Sequence, residues 1–441
     1  MNDAYDLVVI GAGSGGLAAA RRAHQLGKRV AIAEQEAIGG TCVNRGCIPT
    51  KLMIHAADFA KQQDLASSYG WVNPEGLFDW PAFKDALHAH VESLRQRQIQ
   101  DLEGIDILRG QATFLEAHRL QVGDQIVYAR YVLIAVGAHP RLPEIEGIEY
   151  ALTSRDLFDL DQLPQSVLVA GGGYIGVEFS QILHRLGSQV LLVDTEPHVL
   201  DGFDLDLQTG VEQILAADGI QVLDQARLSR LEKTRTGLVA TLADGRSFSV
   251  DQVLCALGRL SNLQNLALDR VAVSTDQGKI VVDPQGRTTV DHIFAVGDCT
   301  TQLRLTPVAK AEGEVAAEAM FGDRSVQVNY RWVPSAVFIH PEVATVGLSE
   351  EEARQEQQEI DIHYNSFSPL EYALSDESLE AFIKVVVHRP DQMILGVHLI
   401  APRAADVIQA LVPGLRKGLT ISELQNTIGI HPSVGEELFA L

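Results

Sequence analysis

Two stretches of the chain repeat one order of apolar and polar positions. In the first, the apolar run Leu7-Val8-Val9-Ile10 leads into Gly11-Ala12-Gly13-Ser14-Gly15-Gly16. A helical stretch then runs from Leu17 to Leu26 and ends at Gly27. A second apolar run, Val30-Ala31-Ile32-Ala33, closes on Glu34. In the second stretch, Val167-Leu168-Val169-Ala170 leads into Gly171-Gly172-Gly173-Tyr174-Ile175-Gly176. A helical stretch runs to Leu186-Gly187, and Val190-Leu191-Leu192-Val193 ends on Asp194. The pattern predicts strand, glycine turn, helix and strand in both places. Glu34 follows Gly11 by 23 residues, and Asp194 follows Gly171 by the same 23. In a chain with 37 glycines a single GxGxxG is weak evidence, whereas two with an acid at one offset are strong.

Each unit has the composition of a dinucleotide-binding βαβ element. The first glycine makes a tight turn, the second lets a pyrophosphate approach the backbone, and the third lets helix pack on strand. The helix start then offers free N–H groups and the positive end of its dipole. The terminal acid is placed to accept hydrogen bonds from ribose hydroxyls. Further apolar runs end on glycine at Val132–Gly137 and Leu254–Gly258, the latter followed by Arg259; Ile293–Val296 ends in Gly297-Asp298. From about residue 327 the pattern changes. The runs 337–339, 381–387 and 394–400 predict antiparallel strands, and 402–416 and 421–426 predict helices. The fold class read from this is α/β, with two Rossmann-like dinucleotide-binding domains and a C-terminal α+β domain.

Composition narrows the function. The apolar fraction of 46% and charged fraction of 21% are those of a globular chain, and 441 residues are enough for several domains. The net charge of −23 repels nucleic-acid phosphates and anionic lipid, so neither is an expected partner. The start, Met1-Asn2-Asp3-Ala4-Tyr5-Asp6, is acidic where a signal peptide is basic, and no apolar run approaches the length of a membrane span. A cytoplasmic protein is expected.

Cys42, Cys47, Cys255 and Cys299 are too few for a disulfide framework. Cys42 and Cys47 stand in Gly39-Gly40-Thr41-Cys42-Val43-Asn44-Arg45-Gly46-Cys47-Ile48-Pro49-Thr50-Lys51. In an undistorted helix, residues five apart have Cα atoms roughly 8–9 Å apart, whereas a disulfide needs under about 7 Å. A bridge therefore requires irregular backbone, which Gly46 permits. So short a loop stabilises little and is readily reduced, which disfavours a structural staple. Zinc would need two further ligands, and only His55 is near. A reversible dithiol/disulfide is the reading that remains. Lys51, four residues after Cys47, would lie on the same helix face.

With these motifs the chain resembles the class I pyridine nucleotide–disulfide oxidoreductases, the family of glutathione reductase, dihydrolipoamide dehydrogenase, trypanothione reductase and mercuric reductase. The resemblance covers essentially the whole chain. It rests on GGTCVNRGCIPTK, the paired fingerprints, Ala295-Val296-Gly297-Asp298, and His431-Pro432-Ser433-Val434-Gly435-Glu436-Glu437. It implies an FAD domain over 1–147 completed by 263–326, a nicotinamide-dinucleotide domain over 148–262, and a dimerisation domain over 327–441. FAD would be held by Gly11, Gly13, Ser14, Gly16 and Glu34, with Gly40, Thr41, Lys51, Gly137 and Asp298. Lys51 would stabilise negative charge on the flavin and pair with Glu178. The nicotinamide dinucleotide would meet Gly171, Gly173, Ile175, Gly176 and Asp194, with Gly258 and Arg259, and Tyr174 would gate the flavin. Cys47 matches the sulfur beside the flavin and Cys42 the thiol that attacks substrate. Cys255 and Cys299 match no catalytic position and are read as small buried hydrophobes. His431 with Glu436 matches an acid–base pair supplied by the partner subunit of a homodimer.

NADH is the expected coenzyme. Asp194 holds the ribose-acid position and 195–200 carry no Arg or Lys to pair a 2′-phosphate. The C-terminal domain resembles glutathione reductase, and Ser14, Arg21 and Thr306 match substrate-contacting positions. A basic substrate position is Glu314 here, and an expected tyrosine is Gln98. This implies a small disulfide of the glutathione class, including an amidated or amine-bearing analogue. Asn44–Lys51 is closer to dihydrolipoamide dehydrogenase, which stands as the alternative. A redox-sensing flavoprotein without turnover is the alternative from another class. Mercuric reductase and high-molecular-weight thioredoxin reductase activities need a further C-terminal cysteine pair, and no cysteine follows Cys299.

Overall fold

A computed structural model describes residues 4–72, 76–300, 303–324, 326–375 and 379–441. The chain forms two compact units. One comprises Met1–Thr50, Ala82–Arg141 and Gly258–Val328; the other Lys51–Pro81, Leu142–Leu257 and Asn329–Leu441.

The first unit is built on a seven-stranded sheet. Its parallel part runs in the order Asp106–Arg109, Val30–Glu34, Tyr5–Ile10, Gln125–Ile134 and Ile293–Ala295. Val8 stands opposite Ala31 on one side and Val132 on the other. Leu7, Val8 and Val9 are wholly buried because parallel strands are covered on both faces, which is why the run lacks alternation. Each such side chain contributes about 1.5–3 kcal/mol of burial free energy. The strand Gln125–Ile134 continues beyond the parallel part into an antiparallel meander with Arg119–Val122 and Ala112–Glu116. The helices Ser14–Gln25 and Thr306–Phe321 pack together.

The second unit holds a parallel sheet ordered Gln221–Leu223, Gln189–Val193, Ser166–Ala170, Gln252–Cys255 and Leu152–Thr153. The helix Tyr174–Arg185 follows its central strand. A three-stranded antiparallel ribbon, Leu228–Lys233, Leu238–Leu242 and Ser247–Val250, covers Leu168 and Val253. A five-stranded antiparallel sheet is ordered Ser335–Val337, Glu342–Gly347, Ile394–Ala401, Ala381–His388 and Ile360–Phe367. The helix Ala404–Leu415 covers it through Ile408 and Leu415. The fold is therefore α/β with a C-terminal α+β region. Among the described residues no helix is long and apolar enough to cross a membrane.

The run 337–339 departs from the expected strand. Pairing stops at Val337 because the next amides are taken by a helix: Phe338 N–H donates to Glu178 Oε1 and His340 N–H to Gln181 Oε1. The run 254–259 is also divided. Its first strand ends at Cys255, and Arg259–Ser261 pairs antiparallel with Ala138–Pro140 in the first unit.

Candidate active site

The two glycine fingerprints have the same local construction. Gly13 and Gly173 are the N-caps of the helices Ser14–Gln25 and Tyr174–Arg185, and neither helix start carries a side-chain cap. A Cβ added at Gly16 would lie 2.0 Å from Gly11 O, and one at Gly176 1.8 Å from Gly171 O, so a side chain at either position would force helix and strand apart. A Cβ at Gly173 would meet nothing within 4 Å. The helix starts are thus uncapped and approachable, which fits the pyrophosphate of a dinucleotide. Both strand-end acids are fixed by backbone. Glu34 Oε2 accepts from Ala12 N (2.7 Å) and Oε1 from Glu36 N (2.7 Å). Asp194 Oδ2 accepts from Gly172 N (2.6 Å) and Oδ1 from Thr195 N (2.6 Å).

The cysteine segment lies against the first fingerprint. Gly40 has φ +61°, and a Cβ there would stand 2.6 Å from Gly13 Cα, so only glycine permits this approach. The helix Gly40–Arg45 stops at Gly46 (φ −148°, ψ −119°), and a second helix, Cys47–Ser68, begins at the second thiol. This is the irregular backbone that the spacing of the two cysteines requires. Both are free thiols, Cys42 half-buried and Cys47 exposed. Their acidities are driven apart. The Cys42 thiol, hydrogen-bonded to Cys47, pulls Cys47 down to about 6; burial opposes this, while Thr306 and the backbone N–H of Cys47 assist. Cys42 is pushed well above the ordinary thiol range by that same bond, then by burial and the neighbouring charge. The thiolate is thus favoured at Cys47 and disfavoured at Cys42. Cys255 and Cys299 are buried, and burial pushes their thiols up to about 11 and about 12.

In the second unit His431 Nδ1 lies 3.0 Å from Glu436 Oε1 and 3.1 Å from Oε2. The Glu436 carboxylate also accepts from Ser433 N (2.9 Å), and Ser433 Oγ caps the turn by accepting from Glu436 N. The Ser433 N–H chiefly holds the Glu436 carboxyl below its usual range; burial opposes it, and His431 adds a lesser lowering. The His431 side chain is 83% exposed, so Nδ1 is engaged while the ring stands open to a reaction partner.

Residues 5–313 match the pyridine nucleotide-disulphide oxidoreductase family, and residues 333–440 match the dimerisation domain of pyridine nucleotide-disulphide oxidoreductases. This chain belongs to that family. It is 38% identical to the glutathione reductase of Burkholderia cepacia (99% of this chain, 98% of the relative) and 36% identical to that of Nostoc sp. (99% of each). It is 34% identical to the trypanothione reductase of Trypanosoma congolense (100% of this chain, 96% of the relative). The protein is a flavoprotein disulfide oxidoreductase.

Within this oxidoreductase, Lys51 departs from the expected pairing. Its Nζ lies 3.0 Å from Glu342 Oε1, not on Glu178, and 4.0 Å from the centroid of the Phe338 ring. Glu178 is buried, and its Oε1 receives Phe338 N–H at 2.8 Å, so the segment that presents this ring to Lys51 is tied to Glu178 by its backbone. Arg259, implied for the nicotinamide side, donates to Ala138 O and Thr41 Oγ1 and lies 3.6 Å from Asp298 Oδ2, all residues of the first unit. Gly137 and Gly258 carry the backbone acceptors for Asn262 N and Arg141 N beside the same two-stranded ribbon. Tyr174 is the first residue of its helix and 43% exposed; Ile175 is half-buried.

Of the expected substrate positions, Thr306 Oγ1 is 3.5 Å from Cys47 Sγ, and Ser14 opens the first fingerprint helix. Arg21 is paired with Asp101 at 3.3 Å, and Glu314 is exposed on the helix that Thr306 begins. Gln98 Oε1 is directed at Gly39, where an added Cβ would lie 2.7 Å from it. Sequence reading missed Asp101, Glu342, Asn44 and Arg95. Asp101, Glu342 and Arg95 are ordinary charged residues without motif context; Asn44 stands in the cysteine motif, but only its pairing with Arg95 distinguishes it.

Proposed function

We propose that the protein is an NADH-dependent reductase of a small disulfide of the glutathione class, working as a homodimer through Cys42 and Cys47. The observation that carries this reading is the placement of the two free thiols on either side of the Gly46 helix break, with Thr306 Oγ1 3.5 Å from Cys47 Sγ.

FAD, held by the first fingerprint with Glu34, Gly40, Thr41 and Asp298, would supply the relay of two electrons between the nicotinamide and the cysteine pair. The residues of the chain do the rest. Cys42 retains its proton, so attack requires a base, and His431, oriented by Glu436, is suited to take it. The Cys42 thiolate attacks one sulfur of the substrate. The substrate S–S bond breaks, a mixed disulfide forms, and the leaving thiolate takes the proton held by His431. The Cys47 thiolate then attacks Cys42 Sγ, closes the protein disulfide and releases the second substrate thiolate, which is protonated from solvent. Two thiols of the protein are oxidised as one substrate disulfide is reduced to two thiols. His431 is proposed to act on the partner subunit's dithiol.

Coenzyme choice rests on Asp194 and on the absence of Arg or Lys in 195–200. Substrate choice rests on Arg21, partly neutralised by Asp101, and on exposed Glu314. Together they reduce the positive charge available to substrate carboxylates and favour an amidated or amine-bearing glutathione analogue over plain glutathione disulfide. Steady-state kinetics with NADH and NADPH against glutathione disulfide, glutathione amide disulfide and lipoamide test the reading. Turnover of the glutathione compounds with NADH is expected. Turnover of lipoamide alone would replace the substrate assignment, and no turnover of any disulfide would leave a redox-sensing flavoprotein.

A further inference from the structure

We propose that Arg95 is a positioning residue for the redox pair, acting through Asn44; this rests on the reading that Cys42 and Cys47 cycle between dithiol and disulfide. The helix Gly40–Arg45 has six residues, too few to hold its shape alone, so its geometry is set by bonds to its surroundings. Asn44, between the two cysteines, provides them. Its Oδ1 receives the two forked donors of Arg95, Nε at 3.1 Å and Nη2 at 2.9 Å. Its Nδ2 donates to Gly40 O at 2.9 Å and Ile38 O at 3.1 Å. The amide thus uses its full capacity of two acceptor sites and two donors. The remaining Arg95 nitrogen, Nη1, meets Glu92 on the same helix, Trp80–Gln100, which fixes the guanidinium plane.

The consequence is a turn braced at both ends. Gly40, which contacts the first fingerprint, and Asn44, beside the Gly46 break, are joined through one amide whose orientation Arg95 sets. Disulfide closure requires the two Cα atoms within about 7 Å, so whatever fixes this turn fixes the free energy of closure. Lysine keeps the charge of Arg95 but not the planar fork, and does not replace it. Loss of the brace leaves closure with more disorder to overcome, so the disulfide becomes easier to reduce.

The test uses the flavin-loaded enzyme, equilibrated without oxygen in dithiothreitol buffers of graded dithiol-to-disulfide ratio. One protein disulfide opens to two thiols as one dithiothreitol closes to its ring. Cys42 and Cys47 are then alkylated and counted by mass. Arg95→Ala, Arg95→Lys and Asn44→Ala are each expected to lower the half-reduction ratio by about 5-fold or more, and Arg95→Ala with Asn44→Ala by no more than the larger single change, as for residues acting as one unit. Arg97→Ala, exposed on the same helix, is the control and leaves the ratio unchanged. An unchanged ratio in Arg95→Ala or Asn44→Ala, restoration by lysine, or additive effects would overturn the proposal while leaving the redox pair intact. An unmodified enzyme whose cysteines never pass through half-reduction would overturn the disulfide reading itself.

Discussion

Cys47 Sγ stands 3.5 Å from Thr306 Oγ1, at the first residue of the long helix Cys47–Ser68. The hydroxyl, the Cys42 thiol and the helix start all favour the thiolate at this one sulfur.

The first expectation concerns acidity. Cys47 should be alkylated with a midpoint near pH 6, the thiolate form prevailing above it. Cys42→Ala removes the leading cause of the depression and should raise that midpoint by about one unit or more. Thr306→Val should raise it less. Mass-resolved iodoacetamide kinetics across pH measure all three, and an ordinary midpoint near 8.5 in the unmodified enzyme would remove the split acidity on which the exchange scheme depends.

Proton transfer at His431 gives the second. His431→Ala should leave reduction of the flavin by NADH nearly intact and slow disulfide turnover by roughly 100-fold or more. Glu436→Gln should act in the same direction with a smaller loss, because the amide still holds Nδ1 but lacks the charge that stabilises the imidazolium. Stopped-flow resolution of the two half-reactions distinguishes this from a structural role, which would slow both.

Coenzyme choice is the third. NADPH would bring its 2′-phosphate beside Asp194, whose Oδ1 already accepts from Thr195 and Glu196 N–H groups. NADH should be favoured by about 10-fold or more in kcat/KM, the size of one good hydrogen bond to a charged group. Asp194→Ala with Glu196→Arg should narrow the ratio by removing one carboxylate and supplying a phosphate partner. Equal efficiency with both coenzymes in the unmodified enzyme would refute this role of Asp194.

The fourth concerns stability. Lys384, buried in the C-terminal sheet, meets Asp204 at 2.9 Å, Asp206 at 2.6 Å and Glu350 at 2.9 Å. Burial pulls the Lys384 ammonium down, but the three carboxylates outweigh it and raise its pKa. For Asp204, burial pushes up, and His398, the Glu350 N–H and Lys384 together hold it below its ordinary value. Lys384→Met should cost roughly 3–5 kcal/mol in denaturant unfolding, because the buried Asp204 carboxylate loses its cation, as does Asp206, while Glu350 keeps Arg354. The depressed Asp204 contributes fully above about pH 4 and loses its contribution as pH falls through its folded value. The raised Lys384 contributes below about pH 10 and loses its contribution as pH rises through its own folded value. The gap between unmodified and variant protein should therefore be widest at neutral pH and close in acid. A constant gap from pH 3 to 8 would contradict the assignment.

The inner strands of both parallel sheets were legible in the sequence because they are apolar on both faces and two of them lead into glycine fingerprints, whereas the half-exposed edge strands Asp106–Arg109, Gln221–Leu223 and Leu152–Thr153 were not. The antiparallel parts were less so. The meander through Ala112–Val122 and the ribbon through Leu228–Val250 carry alternating, half-exposed residues that resemble loops. The segment after Val337 looks like strand, but Phe338 and His340 give their amides to side chains of a distant helix, a contact no local pattern encodes. Within the site, residues in motifs were legible. Lys51 was recognisable from its motif, whereas its partner Glu342 is 291 positions away and was not.

Cys47 is proposed as the electron-relay sulfur and Cys42 as the exchange sulfur. Anaerobic reduction of the flavin-loaded enzyme by NADH, followed by absorbance, separates the two roles. Two-electron reduction should produce a long-wavelength band from a thiolate beside oxidised flavin. Cys42→Ser should show that band without added reductant, and Cys47→Ser should lack it under all conditions. A band of unchanged position and strength in Cys47→Ser would contradict the account.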